Sequence, residues 1–108
     1  MTKVIFCTDK NGELLGFHVK GHSGFADEGE DIVCAAISSA VYLVMNTITD
    51  VMHIDAKVSV DTESGDAVLR ILSENAADCK YILQGFKLHM LGLAEQYKEF
   101  ISVKYTEV

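Results

Sequence analysis

The stretch Lys3–Lys20, KVIFCTDKNGELLGFHVK, reads as two strands and the turn that joins them. Lys3 to Cys7 is a short apolar run suited to a buried strand. Glu13 to Lys20 alternates Leu15, Phe17 and Val19 with Gly16, His18 and Lys20, the period-two pattern of a strand with one covered face. Between them lies Asp9-Lys10-Asn11-Gly12, and Asn-Gly flanked by apolar segments is a strong hairpin signal. The chain is therefore expected to begin with an antiparallel hairpin, and everything after it must build on that sheet.

Gly21 to Glu30 carries three glycines and three acids with little apolar periodicity, so it reads as an exposed loop. From about Asp31 to His53 the spacing of Ile37, Val41, Val44, Ile48 and Met52 predicts a helix, with Asp31 as its N-cap. Leu43 and Met45 flank that stripe, which suggests burial on more than one side and room for a subunit partner. Val58 and Val60 alternate with polar neighbours. Glu63-Ser64-Gly65-Asp66 then turns the chain into Ala67–Leu72, giving a second hairpin. A second helix is predicted to begin at Asn75, with Cys79, Ile82, Phe86, Met90, Leu93 and Tyr97 on its apolar side. Phe100 to Tyr105 reads as a last strand. The order ββαββαβ has too few helical crossovers for a parallel barrel and predicts an α+β domain, a mixed or antiparallel sheet packed with two helices. Residues 1–108 form one such domain.

Composition narrows the function. With 49% hydrophobic and 23% charged residues the chain has the make-up of a globular domain rather than a disordered one. Its longest uninterrupted apolar runs, 32–37 and 40–45, are far short of a membrane span of about 20 residues. No secretory signal precedes the first strand, so a cytoplasmic location is expected. The formal charge is −7 and the nine basic residues are scattered, which disfavours a nucleic-acid groove and suits a basic protein or peptide partner. The three cysteines, Cys7, Cys34 and Cys79, form no CxxC, and His18, His53 and His89 have no companion at ligand spacing; no metal or other cofactor is expected.

Two side chains stand out. Cys34 falls in the first turn of the predicted helix, where unpaired N–H groups and the helix dipole favour a thiolate. His22 lies twelve positions earlier, between Gly21 and Gly24. An imidazole that takes the thiol proton and returns it to a leaving group completes the minimum for a cysteine hydrolase. Against that stands the plain reading of Cys34 as a small packing residue and of His22 as an exposed loop histidine. Cys7 and Cys79 sit in apolar patterns and belong to the core. Asp31 is either a cap alone or also a third group orienting His22. Ser38, one turn beyond Cys34, bonds to backbone or helps to line a pocket. The N–H groups around Cys34, Ala35 and Ala36 are candidates for holding an oxyanion. Gly21, Ser23, Gly24 and Glu30 belong to a loop expected to gate the substrate. Asp27, Glu28 and Glu30 are either a solvated surface or an attraction for a basic tail.

The residues Gly21-His22-Ser23-Gly24, Gly29-Glu30-Asp31-Ile32-Val33-Cys34-Ala35-Ala36 and Ser38 resemble the ribosomal processing cysteine proteases of certain bacteria. Either half is weak by itself, while both at this separation are specific, and the length and element order agree across the chain. The resemblance implies a homodimeric endopeptidase that removes a short N-terminal extension from a large-subunit ribosomal protein precursor (bacterial bL27), supporting ribosome assembly. It also implies that Cys34 is the nucleophile and His22 its base. The residues alone leave a second reading open: a non-catalytic ribosome-assembly adaptor that grips a basic tail and uses Cys34 only for packing.

Overall fold

Strands β1 (Thr2–Thr8) and β2 (Leu14–Lys20) pair antiparallel in the computed structural model, which describes residues 1–22, 24–27 and 31–108. The Asp9 side chain organises their turn, accepting from Asn11 N at 2.8 Å and Glu13 N at 3.0 Å, and only Gly12 takes a positive φ, of 82°. The register steps from Cys7↔Gly16 to Thr8↔Leu14. That bulge brings Leu14 and Leu15 both into the core, where strict alternation predicts Leu15 alone.

Helix α1 (Ile32–Asn46) starts on its expected cap and continues as a π-helical turn, Thr47–Val51. The wider turn follows two threonines. Thr47 and Thr49 donate their hydroxyls back to Leu43 O at 2.7 Å and Met45 O at 2.8 Å, and Met52 N reaches Thr47 O at 2.8 Å. The helical path ends at His53, whose φ of 56° turns the chain away. Ile32–Val51 is long and apolar enough for a membrane span by length and composition. Val33, Ile37, Val41, Val44, Met45 and Ile48 are buried in the core, so packing accounts for part of that apolar character, while Ile32, Leu43 and Val51 stay exposed.

Strands β3 (Lys57–Val60) and β4 (Ala67–Arg70) form the second hairpin, and β4 pairs with β2. The second helix, α2, runs over Lys80–Gln96 rather than from Asn75. Asn75 instead closes a 3₁₀ turn, with Asn75 N donating to Leu72 O and Ala76 N to Ser73 O, and its carbonyl takes the Cys79 N–H. These tight turns use up the residues in which the apolar spacing had already begun. Strand β5 (Ile101–Glu107) lies parallel to β1, giving the mixed order β3-β4-β2-β1-β5.

One core lies between this sheet and the helices. Phe6 and Phe17 are fully buried and meet Phe86 of α2 at centroid distances of 5.7 and 4.4 Å. Truncating any of the three to alanine would cost about 3–5 kcal/mol. Val33, Ile37 and Val41 of α1 join the same core and α1 packs beside α2, which sets where the cap of α1 opens.

Candidate active site

The site grows from Asp31. Its Oδ1 accepts from Val33 N and Cys34 N, each at 2.9 Å, and its carbonyl takes Ala35 N at 3.1 Å. A buried acceptor thus holds the first turn, and Cys34 is carried half-buried at the cleft wall. The same bonds correct the expectation for Ala35 and Ala36 as oxyanion donors. The Ala35 N–H is already bonded to Asp31 O, and Ala36 lies one residue further into the helical ladder, where N–H groups bond four residues back.

His22 faces Cys34 from the end of β2. Its Nδ1 lies 3.9 Å from Cys34 Sγ, and its Nε2 lies 3.2 Å from the carbonyl oxygen of Glu63. Both ring nitrogens therefore have a neighbour. The backbone just before the ring is fixed as well: Asp66 Oδ1 accepts from Gly21 N at 3.0 Å, and the buried Thr2 donates Oγ1–H to Gly21 O at 3.3 Å.

These groups open on a cleft of about 490 Å³, the size of a small-ligand or peptide side-chain site. Asp31, Cys34, Ala35 and Ser38 line its helical wall, His22 and Val19 the β2 wall, and Thr62 and Gly65 the far rim. A smaller groove continues past Ser38 between Val41 and Tyr42 of α1 and Val60 and Ala67 of the second hairpin. Of the expected gating loop, Gly21 and Gly24 border the cleft, whereas Ser23 and Glu30, like Glu28 of the acidic run, fall outside the described residues. Phe25 of that loop packs edge-on against Tyr97 and Phe100, at 5.9 and 5.2 Å.

The other cysteines lie apart from this cleft. Cys79 is fully buried, and burial, helped by the charge of Asp78, pushes its thiol up, away from reactivity. Among the described residues no three His, Cys, Asp or Glu side chains gather as a metal site. Sequence reading missed the Glu63 carbonyl, Asp66, Thr2, Thr62 and Gly65. Of these only the turn composition of 63–66 carried a signal, and it marked a turn rather than a site.

Three comparisons bear on this geometry. A family model described as cysteine protease Prp matches residues 1–102. The ribosomal processing cysteine protease Prp of Staphylococcus aureus is 25% identical over 105 residues, covering 97% of this chain and 99% of that one. The Prp of Bacillus subtilis is 27% identical over 52 residues, 48% of this chain and 46% of its own. Among solved structures, the Staphylococcus aureus protease with a covalently linked product peptide superposes with a TM-score of 0.89 at 24% identity, covering 98% of this chain and 100% of that chain.

Proposed function

The chain belongs to the cysteine protease Prp family, and from that premise we propose that His22 and Cys34 are its catalytic dyad. The observation that carries the reading is the 3.9 Å approach of Cys34 Sγ to His22 Nδ1 at a cleft of about 490 Å³. His22 takes the thiol proton, and the sulfur attacks the scissile carbonyl carbon. The imidazolium then gives its proton to the departing amine as the C–N bond breaks, leaving a thioester on Cys34. Water, deprotonated by His22, attacks that thioester and frees the acid and the thiol. Asp31 supports the chemistry by holding the first turn under Cys34.

The substrate we propose is the N-terminal extension of a large-subunit ribosomal protein precursor. This follows the named activity of the relatives, and the structure of the Staphylococcus aureus protease with a substrate peptide has the same fold. An acidic chain of net charge −7 suits a basic ribosomal protein. We further propose a cytoplasmic homodimer, for which the outward Leu43 and Val51 of the first helical segment and Tyr81 and Leu88 of α2 are the exposed apolar material at hand. Incubating the protein with that precursor and weighing the products tests the reading. One N-terminal fragment should appear with the wild type and none with Cys34→Ala or His22→Ala. Cleavage by the Cys34→Ala protein would overturn the dyad, and tight binding of the precursor without cleavage would replace the protease by an adaptor.

A further inference from the structure

Both nitrogens of His22 have neighbours, and they differ in kind. A carbonyl oxygen has no proton to give, so the 3.2 Å contact between Nε2 and Glu63 O is a hydrogen bond only when Nε2 carries the proton. A neutral ring so protonated has its lone pair on Nδ1, the nitrogen that faces Cys34 Sγ. Once Nδ1 has taken the thiol proton, the bond from Nε2 to the carbonyl becomes charge-assisted and stronger.

The carbonyl is also well held. Asp61 Oδ1 accepts from Glu63 N at 2.9 Å and Ser64 N at 3.3 Å, Gly65 N donates to Asp61 O at 2.9 Å, and Ser64 Oγ accepts from Asp66 N at 3.2 Å. From the same turn Asp66 reaches across to Gly21 N, the residue before the histidine. Gly65 leaves the ring its place, since a Cβ there would stand 3.3 Å from His22 Cε1.

We infer that the β3–β4 turn, residues 61–66, is the positioning element of the dyad: the Glu63 main-chain carbonyl sets the tautomer and tilt of His22, and Asp66 anchors the backbone that carries it. Asp61 acts at one remove, by keeping the turn closed. This rests on the dyad reading above. It gives His22 an orienting partner from the backbone, in the role that a third side chain plays in other nucleophile–base pairs.

The test pairs Asp61→Ala and Asp66→Ala with Asp61→Asn and Asp66→Asn, whose amide oxygens still accept the backbone N–H groups. Two rates are read: kcat and KM on the ribosomal precursor, and alkylation of Cys34 by iodoacetamide, which needs no substrate. Each alanine variant should lose about tenfold in kcat and in alkylation, the worth of one hydrogen bond to a charged group. KM should hold, and the asparagine variants should return both rates to wild type. Wild-type rates in both alanine variants would overturn the proposal, as would losses that asparagine fails to restore. Should the alanine variants not fold, the ring nitrogens of His22 can be observed directly by ¹⁵N NMR in Cys34→Ala at alkaline pH: a proton on Nε2 upholds the inference and one on Nδ1 overturns it. If the precursor is never cleaved but the alanine variants still slow alkylation, the substrate reading falls and the positioning role stands. If His22→Ala leaves Cys34 alkylation unchanged, dyad and positioning element fall together.

Discussion

Asp31 Oδ1 stands 2.9 Å from the backbone nitrogen of Cys34, so the residue that starts α1 also fixes the height of the thiol in the cleft. Stability and reactivity are joined at one carboxylate, and the two can be separated by how each responds to substitution.

Replacing Asp31 by alanine removes the acceptor for two first-turn N–H groups. The loss should be about 1 kcal/mol of stability, read as a fall of about 4–8 °C in Tm for a domain near this size. Asp31→Asn keeps an acceptor oxygen and should lose less than half as much in a thermal melt. Proteolytic activity should fall in the same order.

Gly65→Ala acts on the opposite wall. At a φ of +80° an alanine is strained, and its Cβ would press on the His22 ring at 3.3 Å. Steady-state kinetics should show kcat reduced by about tenfold, equivalent to a 1.4 kcal/mol loss of transition-state stabilisation, with the fold retained by circular dichroism. Unchanged kcat would mean that the ring tolerates displacement.

The Asp61 carboxyl is held below its ordinary value by the backbone N–H groups of Ser64 and then Glu63. A depressed carboxylate contributes its bonds fully above the unfolded value, near 3.8, and loses them only as pH falls through its lower folded value. The turn should therefore stay closed throughout the neutral and mildly acidic range and loosen only below about pH 4. NMR titration of the Glu63 and Ser64 amides should show that single acid transition, and Asp61→Asn should abolish it.

Thiol labelling at neutral pH should separate the three cysteines. Cys79 is fully buried with its thiol pushed up, so it should resist alkylation until the protein unfolds. Cys34, beside His22, should react before the half-buried Cys7. Peptide mass mapping at increasing times gives the order, and early labelling of Cys79 would contradict the packing of α2.

With Asp27 and Asp31 along the cleft and a chain charge of −7, KM for a basic precursor peptide should rise with ionic strength, while KM for an uncharged analogue should stay flat. Equal responses would assign the acidic residues to solubility.

Much of the architecture could be read from local pattern, because hairpins and amphipathic helices are written over a few consecutive residues. Asn11-Gly12, the alternation of Phe17 and Val19, and Asp31 before an apolar stripe all did what their chemistry requires. The parallel pairing of β5 with β1 was not readable, since it joins segments about a hundred residues apart and depends on which edge the α2 crossover leaves open. The delayed start of α2 is a local competition that the apolar spacing conceals: Asn75 favours a tight turn, while Cys79 and Ile82 keep a helical interval. At the site, His22 and Cys34 lie within one short motif and declare themselves by side-chain type. The Glu63 carbonyl does not, because a main-chain oxygen looks the same under any residue and reaches the histidine from 41 positions away.

That partner has a consequence for how such a chain can change over time. Almost any amino acid at position 63 supplies the same oxygen, so that position is free to drift between Asp61 and Gly65, which are not, and the length of the turn is not free either. One residue inserted or deleted between Asp61 and Asp66 would shift the oxygen by about 3.3 Å, more than the whole 3.2 Å separation that now joins it to the imidazole. At position 63 itself, gaps rather than substitutions are what this loop should refuse.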